Sequence, residues 1–242
     1  MKFNQEEKAI LNLREDLWSK ADPEKAVLLQ KFFKTGKGEY GEGDIFLAVS
    51  VPETRKLVDK YWKIIDFYYI QKLLNSSIHE ERMLALFVLV KKYEKEEENR
   101  KKIFDFYLKN TKRINNWDLV DVNTPKIIGK YLLDKPRGVL YKLVRSKNLW
   151  ERRIAVLANF AFIRRNDFKD SIKIANILLS DKHDLIHKAV GWMLREVGKR
   201  DKKALEGFLE KNINKMPRTM LRYAIEKFSE NKRQKYLKRK PS

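Results

Sequence analysis

Five short segments of this 242-residue chain recur at a nearly constant interval. Arg82-Met83-Leu84-Ala85-Leu86, Arg153-Ile154-Ala155-Val156-Leu157, Lys188-Ala189-Val190-Gly191-Trp192 and Arg222-Tyr223-Ala224-Ile225 each set a basic residue before an apolar run containing a small residue. Asp118-Leu119-Val120 falls between the first two. The leading positions are 82, 118, 153, 188 and 222, so the intervals are 36, 35, 35 and 34 residues. A period of this size holds two helices and their turns. Units that small cannot bury their apolar faces alone, so they must stack on one another.

The expected fold is therefore all-α. The tetratricopeptide pattern of Trp, Leu-Gly and Tyr is missing, and degenerate HEAT-like helix pairs fit better, although the period is short for them. Such pairs stack into a superhelical α-solenoid with one concave face, here a basic groove. We expect one domain over residues 1–242, with clear repeats from about residue 65 to 230 and a short basic tail at 231–242. Nine Gly and six Pro leave few helix breakers. The absence of Cys excludes disulfide and thiolate chemistry. With no run of 18 apolar residues and no signal-peptide core at the N-terminus, a soluble, intracellular protein is expected.

Ahead of the repeats, residues 4–19 and 22–34 read as helices. Asp22-Pro23-Glu24 supplies a cap, a first-turn Pro and an early acid to the second of them. Leu11, Leu17, Trp18, Val27, Leu28, Phe32 and Phe33 recur at helical spacing. Gly36, Gly38 and Gly41 match the letters of a dinucleotide-binding loop, but the segment before them is helical rather than a strand. The glycines are expected to let the backbone approach a packed helix or a phosphate. Pro52 begins the next helix, with Leu57, Val58, Tyr61 and Trp62 on its apolar face.

The net charge of +21 is lopsided. Residues 1–121 carry 23 Lys and Arg against 21 Asp and Glu; residues 122–242 carry 31 against 12. A phosphate backbone as partner explains that concentration; a solvated Lys-rich surface is the alternative. Arg82, Arg153, Lys188 and Arg222 would form a basic row if the repeats are in register. Alternatively, these residues pair with nearby acids such as Glu81 or Glu151.

Asp118 is the exception in the row, and it belongs to the stretch Asn116-Trp117-Asp118-Leu119-Val120-Asp121. Trp117 and Asp121 are four residues apart and share a helix face, so an aromatic ring and a carboxylate together suit a cation. His183 and His187 also have i, i+4 spacing, but no third ligand accompanies them, and no metal or cofactor is expected. No Ser/His/Asp nucleophile set is visible.

That stretch with Pro125, then Trp150-Glu151-Arg152-Arg153-Ile154-Ala155, then Lys188-Ala189-Val190-Gly191-Trp192-Met193-Leu194-Arg195-Glu196, resembles the DNA alkylation repair glycosylases of the AlkD type. The segments around Lys31–Gly36 and Gly41–Pro52 resemble the same family, so the likeness runs from about residue 20 to 230. It implies a HEAT-like superhelix that cradles duplex DNA and releases N3- and N7-alkylated purines, a hydrolase of base excision repair acting as a cytoplasmic, nucleoid-associated monomer. Matched position by position, it makes Asp121 the catalytic carboxylate. Trp117 and Trp192 become the aromatics beside the lesion, and Arg153 a contact to DNA. Arg152, Lys188, Arg195, Arg222 and Phe32 are expected to face DNA too. Phe32 stands where some members carry a DNA-touching Tyr, so a hydroxyl contact is missing or replaced there. The chemistry is coherent: a cationic base leaves neutral and needs no general acid, and one carboxylate stabilises the oxocarbenium-like sugar. A non-catalytic nucleic-acid-binding module and a protein scaffold are the alternative functions.

Overall fold

Several helices in this chain start where a side chain accepts the first free backbone N–H groups. The computed structural model describes residues 5–238. In order, the helices are α1 (Gln5–Trp18), α2 (Pro23–Phe32), α3 (Val51–Tyr61), α4 (Phe67–Leu74), α5 (His79–Lys95), α6 (Arg100–Lys109), α7 (Trp117–Asp121), α8 (Gly138–Leu143), α9 (Leu149–Ile163), α10 (Lys169–Ile177), α11 (Asp184–Arg200), α12 (Lys202–Asn212), α13 (Arg218–Ala224) and α14 (Glu230–Lys238). Asp22, Ser50, Asp66, Asn148 and Asp201 cap α2, α3, α4, α9 and α12 through their side-chain oxygens. A π-helical turn, Pro125–Gly129, follows α7. Among the described residues there is no strand; Ile45 and Ile78 form an isolated parallel bridge. The fold is all-α, as the periodicity requires.

The five repeat anchors fall on α5, α7, α9, α11 and α13, with one helix between successive members of the series. Two helices per 35-residue interval is therefore the observed spacing. By its contacts the chain divides into two compact units, residues up to Leu119 and residues from Val120.

The first unit is built on α5. Leu84, Leu86, Val88 and Leu89 are fully buried and point to different sides, as expected of a helix enclosed all round by α3, α4 and α6. Its first turn is buried as well, although it reads His79-Glu80-Glu81-Arg82. Each of those groups has a partner. Glu80 accepts from the backbone N–H of Leu47 at 2.9 Å and of Ala48 at 2.8 Å. Ala48 has φ 63°, so this buried carboxylate holds a left-handed alanine in place. Arg14 reaches Glu81 at 3.0 Å. Arg82 pairs with Asp44 at 2.6 Å. The anchor Arg82 is thus interior and does not extend a surface row.

On α3, Leu57, Val58 and Tyr61 are buried and Trp62 just beyond it is half-buried, in keeping with the apolar face read from the sequence. Leu17 and Phe33 are also buried, but Leu11, Trp18, Val27, Leu28 and Phe32 are exposed. Helical spacing put them on helices without saying which side the core occupies. Gly41 lies against the end of α2: a Cβ there would stand 2.6 Å from the carbonyl oxygen of Phe33, so the glycine loop packs on a helix.

The second unit is built on α9 and α11. α9 packs on α8, α10, α11 and the π-helical turn, and α11 packs on α9, α12 and α13. Ile154, Leu157, Phe162, Leu194 and Val197 are fully buried between them. Gly191 lets α11 and α13 approach closely; a Cβ there would meet the Met220 carbonyl oxygen and the Tyr223 Cβ, both at 2.5 Å.

Candidate active site

α7 has five residues, too short to persist by its own hydrogen bonds. Side chains on either side of the unit division hold it. Trp117, Asp118 and Leu119 belong to the first unit, Val120 and Asp121 to the second.

In the first unit, Asn116 is completely buried. Its Oδ1 accepts from the Trp117 N–H at 2.8 Å, and its Nδ2 donates to Asp44 at 3.3 Å. Asp118 Oδ1 accepts from the Leu119 N–H at 2.8 Å. Its Oδ2 lies 2.8 Å from His79 Nε2, while His79 Nδ1 lies 3.3 Å from Asp44 Oδ2. Burial alone would push the His79 pKa down, but hydrogen bonds to Asp118 and Asp44 outweigh it and raise the pKa to about 9. Burial acts to raise Asp44, yet His79 and Arg82 hold its carboxyl below the usual range.

An aromatic column runs beside this network. His79 stacks on Phe46 at 4.3 Å, Phe46 on Phe33 at 4.7 Å, and Phe33 on Trp117 at 5.0 Å with the rings 7° from parallel. Phe32 meets the Trp117 ring edge-on at 6.1 Å and is 65% exposed. The Trp117 ring is therefore fixed on one face and only partly buried.

In the second unit, Arg153 forks onto Asp121. Its Nε donates to Oδ1 at 2.8 Å and its Nη2 to Oδ2 at 2.7 Å, while Nη1 donates to the Leu185 carbonyl of α11. The guanidinium is 6% exposed and the carboxylate 12%. A two-point charge-assisted bond sets the plane of the carboxylate as well as its position. The third donor ties that plane to α11, the helix that carries Trp192. Trp192 is half-buried and tilts against Phe160 at 5.8 Å.

The remaining basic residues stand as follows. Arg152 pairs with Asp181 at 2.7 Å and also donates to the Ser146 and Lys147 carbonyls. Lys188 pairs with Asp184 at 2.7 Å. Arg195 pairs with Glu226 and lies 3.6 Å from Glu196. Arg222 is exposed on α13. The acids involved differ from the Glu81 and Glu151 suggested by sequence proximity. His183 is the cap of α11, its Nδ1 accepting from the Leu185 N–H at 3.2 Å, and His187 bonds the Asp181 carbonyl. Of the basic tail, Lys232 to Lys238 lie on α14, whereas Arg239 and Lys240 lie outside the described residues.

Sequence reading missed Asp44, His79 and Asn116. One signal was available: four consecutive ionisable residues, 79–82, run directly into the apolar stretch Met83–Val90. Buried there, they had to find partners.

Paired helices at a 35-residue interval, with a short Trp/Asp helix among them, define an all-α class of protein. The sequence profile of the DNA alkylation repair enzyme family matches residues 13–228, and the chain belongs to that family. Solved structures agree on the fold. A predicted DNA alkylation repair enzyme from Enterococcus faecalis superposes with a TM-score of 0.68 at 16% identity, over 87% of this chain and 98% of that one. AlkD2 from Streptococcus mutans gives 0.54 at 22% identity, over 86% and 99%. The smu.31 protein from Streptococcus mutans UA159 gives 0.54 at 22% identity, over 85% and 98%. Curated proteins yield no match. Membership supports a role in DNA repair with DNA as partner. Among the described residues, no helix is long and apolar enough to cross a membrane.

Proposed function

We propose that the protein is a monofunctional DNA N-glycosylase that excises cationic alkylated purines, of the N3-methyladenine and N7-methylguanine type, from duplex DNA. The observation that carries this reading is the Arg153 fork on Asp121, four residues after Trp117 on α7.

Each step follows from the substrate. The N-glycosidic bond breaks with its electron pair going to the base, which departs neutral, so no general acid is called for. Positive charge passes to the sugar, and Asp121 stabilises it where it develops. Water then adds to the anomeric carbon and gives up a proton, for which Asp121 is the acceptor. Trp117 and Trp192 offer π-faces to the cationic nucleotide, worth about 0.5–2 kcal/mol each.

The same reading makes the helix pairs a HEAT-like solenoid that presents a concave basic groove to duplex DNA, with the protein acting as a cytoplasmic monomer. Arg222 and Phe32 are exposed for such contact. Lys188 and Arg195 already hold carboxylates, but exposed pairs are worth only about 0–1 kcal/mol, so a phosphate can displace the acid. The decisive test is incubation with methylated duplex DNA and chromatography of the free bases. Release of both methylated purines is expected. Intact DNA after prolonged incubation with excess protein would remove the reading.

A further inference from the structure

We propose that His79 is a positioning residue for base release: by bridging Asp44 and Asp118 it fixes the start of α7, and with it Trp117. The proposal rests on the glycosylase reading for its catalytic part, while its structural part stands alone.

The argument begins with donors. Both ring nitrogens of His79 face carboxylate oxygens, Asp118 at 2.8 Å and Asp44 at 3.3 Å. A neutral imidazole has one N–H, so it would leave one nitrogen lone pair against a carboxylate lone pair. Only the imidazolium satisfies both sides. The ring is 3% exposed, where an unsatisfied contact of that kind is costly. Arg82 also bears on Asp44 and opposes a charge on His79, whereas Glu80 is committed to the Leu47 and Ala48 N–H groups. Lys25 of α2 lines the same cleft of about 310 Å³, as do Phe33, Phe46, His79 and Asp118. The balance leaves the imidazolium with a pKa raised to about 9, charged at neutral pH.

Two routes lead from this ring to Trp117. One is covalent: Asp118 adjoins Trp117, and Asn116, which caps the Trp117 N–H, shares Asp44 with His79. The other is the stack His79–Phe46–Phe33–Trp117. An imidazolium over Phe46 adds cation–π attraction that a neutral ring lacks. Loss of the proton therefore loosens the first residue of α7 from two directions, and the cleft gives the proton a way to solvent.

The test uses the full chain carrying 5-fluorotryptophan, with the Trp117 resonance assigned from Trp117→Phe. The fluorine spectrum and single-turnover base release are followed together from about pH 7 to about pH 10.5, a range that begins just above the ordinary His value and stops near that of Lys. In the wild type, the Trp117 signal should shift with a midpoint near 9. Base release should fall about tenfold or more across the same midpoint, the usual scale for losing correct placement of a reacting group. His79→Gln keeps donors on one nitrogen only, presents an oxygen in place of the other, and cannot titrate. It should abolish both steps and lower release at neutral pH by about tenfold. Asp118→Asn serves the same purpose if His79→Gln does not fold, since it removes one carboxylate and should bring the midpoint down. A purely structural His79 would lower the melting temperature of His79→Gln yet leave the pH profile of release in place, and that result overturns the proposal. So does a Trp117 signal that fails to titrate in the wild type, or that titrates equally in His79→Gln. A wild type whose Trp117 signal titrates as expected while no base is ever released overturns the catalytic part through the glycosylase reading, and is distinguishable from failure of the network.

Discussion

Arg153 and Asp121 meet through two parallel hydrogen bonds of 2.8 and 2.7 Å, across 32 residues of sequence. The contact binds the last residue of α7 to α9, and the third Arg153 donor reaches α11. One guanidinium thus fixes a carboxylate to two helices of the second unit. In the first unit the start of α7 is held by an imidazolium instead.

Asp121→Asn should lower release of N7-methylguanine by about a hundredfold or more, as removal of one preorganised electrostatic group does. The side chain is nearly isosteric, so the melting temperature should change little, and DNA affinity should be kept or slightly raised because one anion is gone. Single-turnover kinetics with thermal melting measures both. A variant with wild-type rate would remove Asp121 from the chemistry.

Arg153→Ala should destabilise the second unit as well as impair release. It leaves a largely buried carboxylate without its fork, a change that costs about 3–5 kcal/mol in comparable buried pairs. Urea denaturation should show it. The double variant Arg153→Ala/Asp121→Ala should recover part of that loss, because no charge is left behind; equal stability of single and double variants would contradict the pairing.

Gly191→Ala should lower stability by about 1–3 kcal/mol, the range for inserting a methyl group where none fits. The Cβ would stand 2.5 Å from the Met220 carbonyl oxygen, a backbone atom that cannot move aside alone. A melting temperature equal to wild type would mean that α11 and α13 are farther apart in solution.

His79 should impose a pH dependence on stability. Its folded pKa is raised from 6.5 to about 9, so the folded state holds the proton more tightly than the unfolded chain. The contribution is fully present below pH 6.5 and declines as pH rises toward 9. Melting curves across that window should descend in the wild type and lose that component in His79→Gln.

Binding to duplex DNA should weaken steeply with salt. Each neutralised phosphate adds about 0.9 to the slope of log K against log salt, and the 31 to 12 excess of basic residues after residue 121 supplies the cations. A slope near zero in a filter-binding or anisotropy titration would leave that excess without a role in DNA binding.

The sequence by itself determined the all-helical character, the Asp22 cap and the 35-residue interval, because helical spacing and capping depend on neighbours within a turn or two and the interval is written in the chain itself. It also placed Trp117 and Asp121 on one helix face, and it located the basic excess in the second half. It left open what Arg82 and Arg153 would meet. Both lead an apolar run at the same register, yet Arg82 is sealed against Asp44, and Arg153 orients Asp121. It likewise gave Leu28 and Phe32 the same periodic standing as Leu17 and Phe33, although the first two are exposed and the second two buried. Only packing decides such cases. An ion pair between residues 30 to 40 positions apart forms when stacked helices bring one particular acid within reach, and a chain with 54 basic and 33 acidic residues offers many equivalent choices. The His79 bridge is the clearest instance. Asp44 and Asp118 are 35 and 39 residues from it in opposite directions, and the bridge exists only because the folded chain brings all three together.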